Sequence, residues 1–186
     1  MKKQNLFVLG FVILSIGALI LISGCIEEKP RKKTTIETTT IEQPSELTLK
    51  IGETATTDKI EITVISVKKE RFYRYWYDAL NQYLTQVAPQ GYVYLIVEVE
   101  IKNVGADSVY VSNTNFNAID SNGYRYDVDM LYMSEDRLET FQELYKNQKV
   151  RGKLLFKVPK DAKGLKIQYD FGSLLTGVKL ATWELE

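Results

Sequence analysis

The chain of 186 residues contains no histidine. That absence excludes Ser-His-Asp and Cys-His catalysis, blue-copper sites and almost every catalytic zinc site, all of which need an imidazole. Cysteine occurs once, at Cys25, so there is neither an intramolecular disulfide nor a cysteine zinc cluster. There is no charge excess: 24 basic residues balance 24 acidic ones. No bulk field therefore points to nucleic acid, and none is expected as a partner. No Asn-x-Ser/Thr sequence occurs, which excludes N-linked glycosylation. Proline is scarce, at four residues. With no cofactor ligand set apparent, the fold must be held by its own core. A segment of about 140 residues can do this, burying roughly two-thirds of the surface its unfolded chain exposes.

What is present begins with the N-terminus. Met1-Lys2-Lys3-Gln4-Asn5 is a short basic stretch, and Leu6 to Ile22 is uncharged and rich in Leu, Ile, Val and Phe. Small residues follow in Ile22-Ser23-Gly24-Cys25. A basic region, an apolar run and small residues before a cleavage point form a secretory signal. The end of this segment resembles a lipoprotein signal peptide, whose lipobox it matches at each of those four positions. The resemblance implies cleavage before Cys25 and lipid attachment to its thiol. A second reading stays open: Leu6 to Ile26 is 21 uncharged residues, about 30 Å as a helix and long enough to remain as an uncleaved membrane anchor. Lys29, Arg31, Lys32 and Lys33 follow the apolar run, which on the positive-inside rule would favour a cytoplasmic C-terminus. The lipobox requires the cysteine outside, so export is the expectation. Residues 1–25 are thus signal or anchor, and the membrane is one partner, met through the N-terminus at the outer face.

Residues 26–46 read as a tether. Thr34-Thr35-Ile36-Glu37-Thr38-Thr39-Thr40-Ile41-Glu42-Gln43-Pro44 has too few large apolar residues to offset the entropy of ordering. It is either a bare spacer or a stalk carrying O-linked sugars. Its basic start either lies against anionic head groups or is simply solvated.

From about Leu47 the pattern becomes period two. Ile60, Ile62 and Val64 alternate with Glu61 and Thr63. In Tyr92 to Asn103, Val93, Leu95, Val97, Val99 and Ile101 face one way, while Tyr92, Tyr94, Ile96, Glu98, Glu100 and Lys102 face the other. This is a half-buried antiparallel strand. Val150, Gly152, Leu154, Phe156 and Val158 repeat the pattern until Pro159, which has no N–H to donate. Short strands are expected at Val109 to Val111, Phe116 to Asp120, Tyr124 to Val128, Leu165 to Tyr169 and Val178 to Leu185. Turn residues separate them, notably Asn103 to Ser108 and Asp120-Ser121-Asn122-Gly123. Seven or more such strands predict an all-β sandwich over 47–186. Two stretches differ. Ala79, Leu80, Tyr83, Leu84 and Val87 are spaced like one face of a short helix, and helical turns are expected within Leu131 to Leu144.

Three runs carry a resemblance: Gly91 to Gly105, Asp120 to Tyr124 and Gly152 to Pro159. Over Leu47 to Glu186 the chain resembles an uncharacterised family, a domain of unknown function, of secreted immunoglobulin-like β-sandwiches akin to the immunoprotective extracellular antigen. The resemblance implies an immunoglobulin-like antiparallel sandwich and transfers no catalytic residue. The stretch Arg71 to Gln90 departs from it, being long and aromatic.

That departure holds the leading candidate site. Phe72, Tyr73, Arg74, Tyr75, Trp76 and Tyr77 are consecutive, and such side chains supply stiff, amphipathic contact area for recognition. The bland alternative is that Phe72 and Trp76 pack inward and the tyrosines decorate an edge. Asp120, Asn122, Asp127 and Asp129 offer oxygens for calcium, though no glutamate stands where an EF-hand requires it, and turn-making explains Asp and Asn before Gly equally well. Glu98 and Glu100 are better read as cross-strand ion-pair partners than as a hydrolase pair. Met130 and Met133 alone are too few for Cu(I). The expected function is non-catalytic binding of an envelope protein or polysaccharide. The alternative is an enzyme or ligand carrier using acids and tyrosines around a pocket.

Overall fold

The computed structural model describes residues 45–129, 134–172 and 178–185. Cys25, the tether, Met130 and Met133 lie outside the described residues. In chain order the strands are β1 (Glu46–Lys50), β2 (Thr54–Thr56), β3 (Ile60–Glu70), β4 (Phe72–Tyr77), β5 (Gln82–Val87), β6 (Tyr92–Asn103), β7 (Ser108–Val111), β8 (Phe116–Ile119), β9 (Arg125–Asp127), β10 (Gln142–Tyr145), β11 (Lys149–Pro159), β12 (Lys166–Asp170) and β13 (Leu180–Glu184). The alternation that predicted strands is the alternation that builds two sheets. One has the order β11-β6-β3-β2 and the other β1-β13-β12-β8-β9. Only β1 and β13 run parallel among these pairs.

Of the predicted inward residues of β6, Leu95, Val97, Val99 and Ile101 are buried and Val93 is half-buried; Leu154, Phe156 and Val158 of β11 meet Val97, Leu95 and Val93 across the register. They share one core with Phe116, Ala118, Ile167, Tyr169, Ala181 and Trp183 of the facing sheet. Burying alternate faces of two sheets against each other is what makes this a β-sandwich. A bulge at Ile65 resets the alternation of β3, so that Val67 turns to the core and Ser66 to the polar face. Trp183 is fully buried, and its indole N–H donates to the Glu53 carbonyl at 2.9 Å. Gly152 of β11 is required by close approach: a Cβ there would lie 2.7 Å from the Leu138 nitrogen.

Two expectations are corrected. The stretch with helical spacing forms a single 3₁₀ turn, Asp78–Leu80, followed by strand β5, which pairs antiparallel with β4 from Phe72↔Val87 to Tyr77↔Gln82. The short helical insertion is therefore a β-hairpin. The spacing misled because residues four apart share a face in a strand as well as in a helix. In the described part of Leu131 to Leu144 no helix forms either; Gln142–Tyr145 is strand, paired with β7.

The turn at Asp120 is built as the sequence suggested. Its carboxylate accepts from the Asn122 and Tyr124 N–H groups at 2.9 and 3.0 Å and from the Tyr126 hydroxyl at 2.9 Å. Burial alone would raise the Asp120 pKa, but these hydrogen bonds outweigh it and hold the group below the ordinary carboxylate range. Burial first, and then the same hydrogen bond and charge of Asp120, push the Tyr126 phenol up to about 12. A depressed folded-state pKa stabilises above the unfolded value and is lost as pH falls through the folded one. Stability should therefore fall below about pH 4, and Asp120→Asn should flatten part of that fall. Urea midpoints at about pH 7 and about pH 3 check this; an unchanged pH dependence in the variant contradicts it.

Candidate functional site

The aromatic hexapeptide is strand β4 itself, and alternation sorts its six side chains onto two faces. Tyr73, Tyr75 and Tyr77 point toward the sandwich, while Phe72, Arg74 and Trp76 point outward with Tyr83, Thr85 and Val87 of β5. The bland inward register is thus displaced by one residue: Tyr73 is 5% exposed and Phe72 is 55% exposed.

The inner face fastens the hairpin to the outside of the β11-β6-β3-β2 sheet. Tyr73 packs with Ala88, Tyr94 of β6 and Leu155 of β11 in a second apolar cluster, flanked by Tyr75 and Ile96. The Tyr73 and Tyr75 rings are stacked with centroids 5.7 Å apart. Polar bonds complete the attachment. The Tyr73 hydroxyl donates to Asp136 at 3.1 Å and lies 3.3 Å from the Ser134 hydroxyl; Lys153 donates to the same Asp136 carboxylate. Gln86 of β5 donates to the Tyr94 hydroxyl at 3.0 Å. At the hairpin tip the Glu135 carboxyl, hydrogen-bonded to Asp78, is raised in pKa while Asp78 is lowered.

This Tyr73–Ser134–Asp136–Lys153 group contains the acids and tyrosine that a catalytic reading would ask for, but its charges are matched. Burial works to lower the Lys153 amine, and the hydrogen bond and charge of Asp136 more than reverse it. Burial likewise works to raise Asp136, and the Lys153 bond leads the contacts that hold it low. A lysine held protonated is no general base. Nor are the paired glutamates free: Arg151 meets Glu98 at 2.9 Å and Lys149 meets Glu100 at 3.2 Å. The arginine bond is the chief cause of the lowered Glu98 pKa. Asp127 pairs with Arg125, and among the described residues no group of three acidic, Cys or His side chains could hold a metal.

The outer face is arranged differently. Trp76 meets Tyr83 edge-to-face at 5.1 Å, and the Arg74 guanidinium lies 4.4 Å from the Tyr83 ring centroid. The Trp76 indole N–H donates to Asp78. These contacts link the side chains along the face; Tyr83, Leu80 and Val87 are each more than half exposed, while Trp76 is half-buried. Beneath Phe72 and Arg74 opens a cleft of about 310 Å³, floored by Ser66, Glu98 and Lys153 and bordered by Lys68. Aromatic wall and polar floor together suit a hydroxylated ligand.

Residues 49–179 match the family described as a domain of unknown function, DUF4352. The chain belongs to this family. No curated protein sequence matches it. Its fold resembles that of YcdA from Bacillus subtilis, described as a candidate lipoprotein, with 18% identity and a TM-score of 0.54 over 72% of this chain; the likeness spans only 38% of YcdA. It also resembles MPT63, a secreted protein of Mycobacterium tuberculosis, at 17% identity and a TM-score of 0.54, covering 75% of this chain and 98% of that one. An uncharacterised β-sandwich protein from Clostridium difficile aligns over 85% of this chain and all of its own length, at 18% identity and a TM-score of 0.50. At these identities the likeness shows the fold alone, an all-β sandwich as expected.

Sequence reasoning found the hexapeptide but missed what completes it. Tyr83 falls on the face that its spacing with Ala79, Leu80, Leu84 and Val87 predicts as helical, Gln86 carries no such signal, and Ser134, Asp136 and Lys153 come from segments distant in sequence. One signal was available: Tyr94, Ile96 and Leu155 are apolar residues on faces otherwise charged, and each lies under the hairpin.

Proposed function

We propose that this chain is a non-catalytic binding module of the cell envelope, held at the outer face of the membrane through Cys25, and that it meets its partner with the outward face of the β4–β5 hairpin. One observation carries the reading. The hairpin spends its inner face on attachment and leaves Phe72, Arg74, Trp76 and Tyr83 as a pre-arranged aromatic and cationic stripe on the outside. Aromatic anchors beside arginine are the side chains that dominate desolvated contacts. The cleft beneath them favours an envelope polysaccharide over a flat protein surface, since sugar rings stack on aromatic faces and present hydroxyls to a polar floor. Secreted and candidate-lipoprotein neighbours support the location.

Trp76 supplies the probe, because Trp183 is fully buried and contributes a constant background. Titration with purified envelope polysaccharide should shift Trp76 fluorescence. Arg74→Ala and Tyr83→Ala should weaken that binding about tenfold or more while changing stability by no more than about 0.5 kcal/mol. Binding unaffected by either change sinks the hairpin as the docking surface. The anchor is tested separately: Cys25→Ser should release the protein from the membrane fraction, since an attached chain contributes about 0.8 kcal/mol per buried methylene. Retention of uncleaved protein would assign the N-terminus as a spanning helix instead.

A further inference from the structure

A second exposed aromatic surface lies on the β7–β10 pair and shares no residue with the hairpin. Phe141, Glu143 and Tyr145 alternate onto one face at β10, and Tyr110 of β7 stands directly opposite Glu143. Phe141, Tyr110 and Tyr145 are 71%, 60% and 57% exposed. The Tyr110 and Phe141 rings are 5.6 Å apart between centroids, tilted by 33°. The Tyr145 hydroxyl donates to the Glu143 carboxylate at 3.3 Å, and the negative charge of Glu143 raises the Tyr145 phenol. Three large rings left in water around one carboxylate are uncommon on a monomer surface without a use.

The carboxylate decides what the rings would meet. Carboxylates on β6 have cationic partners: Arg151 for Glu98 and Lys149 for Glu100. Among the described residues Glu143 has no such ion pair, and its cross-strand neighbour is an aromatic ring where a lysine or arginine would ordinarily stand. Ring faces are negative, and a cation within about 6 Å of a ring centroid is attracted to it. With centroids 5.6 Å apart, Tyr110 and Phe141 can both reach one cation. A primary ammonium carries three donors and a guanidinium five, each needing an acceptor. The acceptor at the centre of the patch is the Glu143 carboxylate, and Tyr145 takes one of its roughly four lone-pair sites. A cation without donors suits it better.

We infer that the Tyr110, Phe141 and Tyr145 rings, with Glu143 at their centre, bind a quaternary ammonium group. The methyls lie against the rings and Glu143 supplies the counter-charge. The test is an amide-shift titration of the ¹⁵N-labelled full-length chain with choline, with its neutral carbon isostere 3,3-dimethylbutan-1-ol and with ethanolamine. Choline should give saturable shifts at Tyr110, Glu143 and Tyr145, about tenfold tighter than the isostere and tighter than ethanolamine. Glu143→Gln should abolish the preference for choline over the isostere with the rest of the spectrum unchanged, and Phe141→Ala should weaken both. Equal binding of choline and isostere overturns the proposal, as does tighter binding of ethanolamine or a response confined to the hairpin.

Discussion

Gly105→Ala is expected to destabilise the domain by about 3 kcal/mol or more, a fall in melting temperature on the order of 10 °C. A Cβ at Gly105 would sit 1.9 Å from the Asp58 carbonyl oxygen and 3.0 Å from its carbonyl carbon. Both are backbone atoms, so no side chain can swing aside. The turn cannot retreat cheaply either, since the Val104 and Gly105 N–H groups both donate to the Lys59 carbonyl, at 2.8 and 3.2 Å. Relief of the clash would break the bonds that close the end of β6 against the start of β3. Urea denaturation measures the loss. A change under about 0.5 kcal/mol, the range of ordinary surface substitutions, would mean that the two turns do not meet in this way.

The second large effect lies two residues earlier. Asn103 is fully buried, and its side chain makes three hydrogen bonds: the amide donates to the Ala106 and Leu144 carbonyls at 2.9 and 2.8 Å, and its oxygen accepts from the Ala106 N–H at 3.0 Å. Its own backbone bonds to Gln148 and Asn147. One side chain therefore joins the end of β6, its turn and strand β10. Asn103→Leu fills the space but leaves three backbone groups unpaired, each costing about 1–3 kcal/mol when buried. A loss of about 3–4 kcal/mol is expected after partial relaxation. Asn103→Asp should be comparably damaging at neutral pH, because a carboxylate would face two carbonyl oxygens, and part of that loss should recover on acidification as the carboxyl becomes a donor. A Leu variant as stable as the parent contradicts this role.

These two residues show what the sequence made legible. Asn103 to Ser108 reads as turn chemistry from composition, and the strand before it from alternation. What turned Asn103 from an end residue into a buried junction is Leu144, forty-one positions later, and no local pattern reports such a contact. The sandwich was readable because its core depends on period two in long strands such as β6 and β11. The hairpin was not, because Tyr83 and Val87, four apart, share a face in either period and only the pairing of β5 with β4 decides between them. Within the candidate site, the chemistry of Phe72 to Tyr77 was visible while its division into an attached and a free face was not. That division depends on Tyr73 reaching Ser134 and Asp136. The odd apolar residues Tyr94 and Leu155 were the trace of it in the sequence.

The central claim is that one face of the hairpin holds it in place and the other is free to bind. Paired measurement of Tyr73→Ala and Trp76→Ala tests it most directly, with urea stability and polysaccharide binding recorded for each. Binding of Trp76→Ala is read calorimetrically, since the fluorophore is gone. Tyr73→Ala should lose about 3 kcal/mol of stability and weaken binding as the hairpin loosens. Trp76→Ala should keep the parent's stability within about 0.5 kcal/mol and lose binding about tenfold or more. A Trp76→Ala protein that unfolds readily, or a Tyr73→Ala protein as stable as the parent, would contradict the assignment of the two faces.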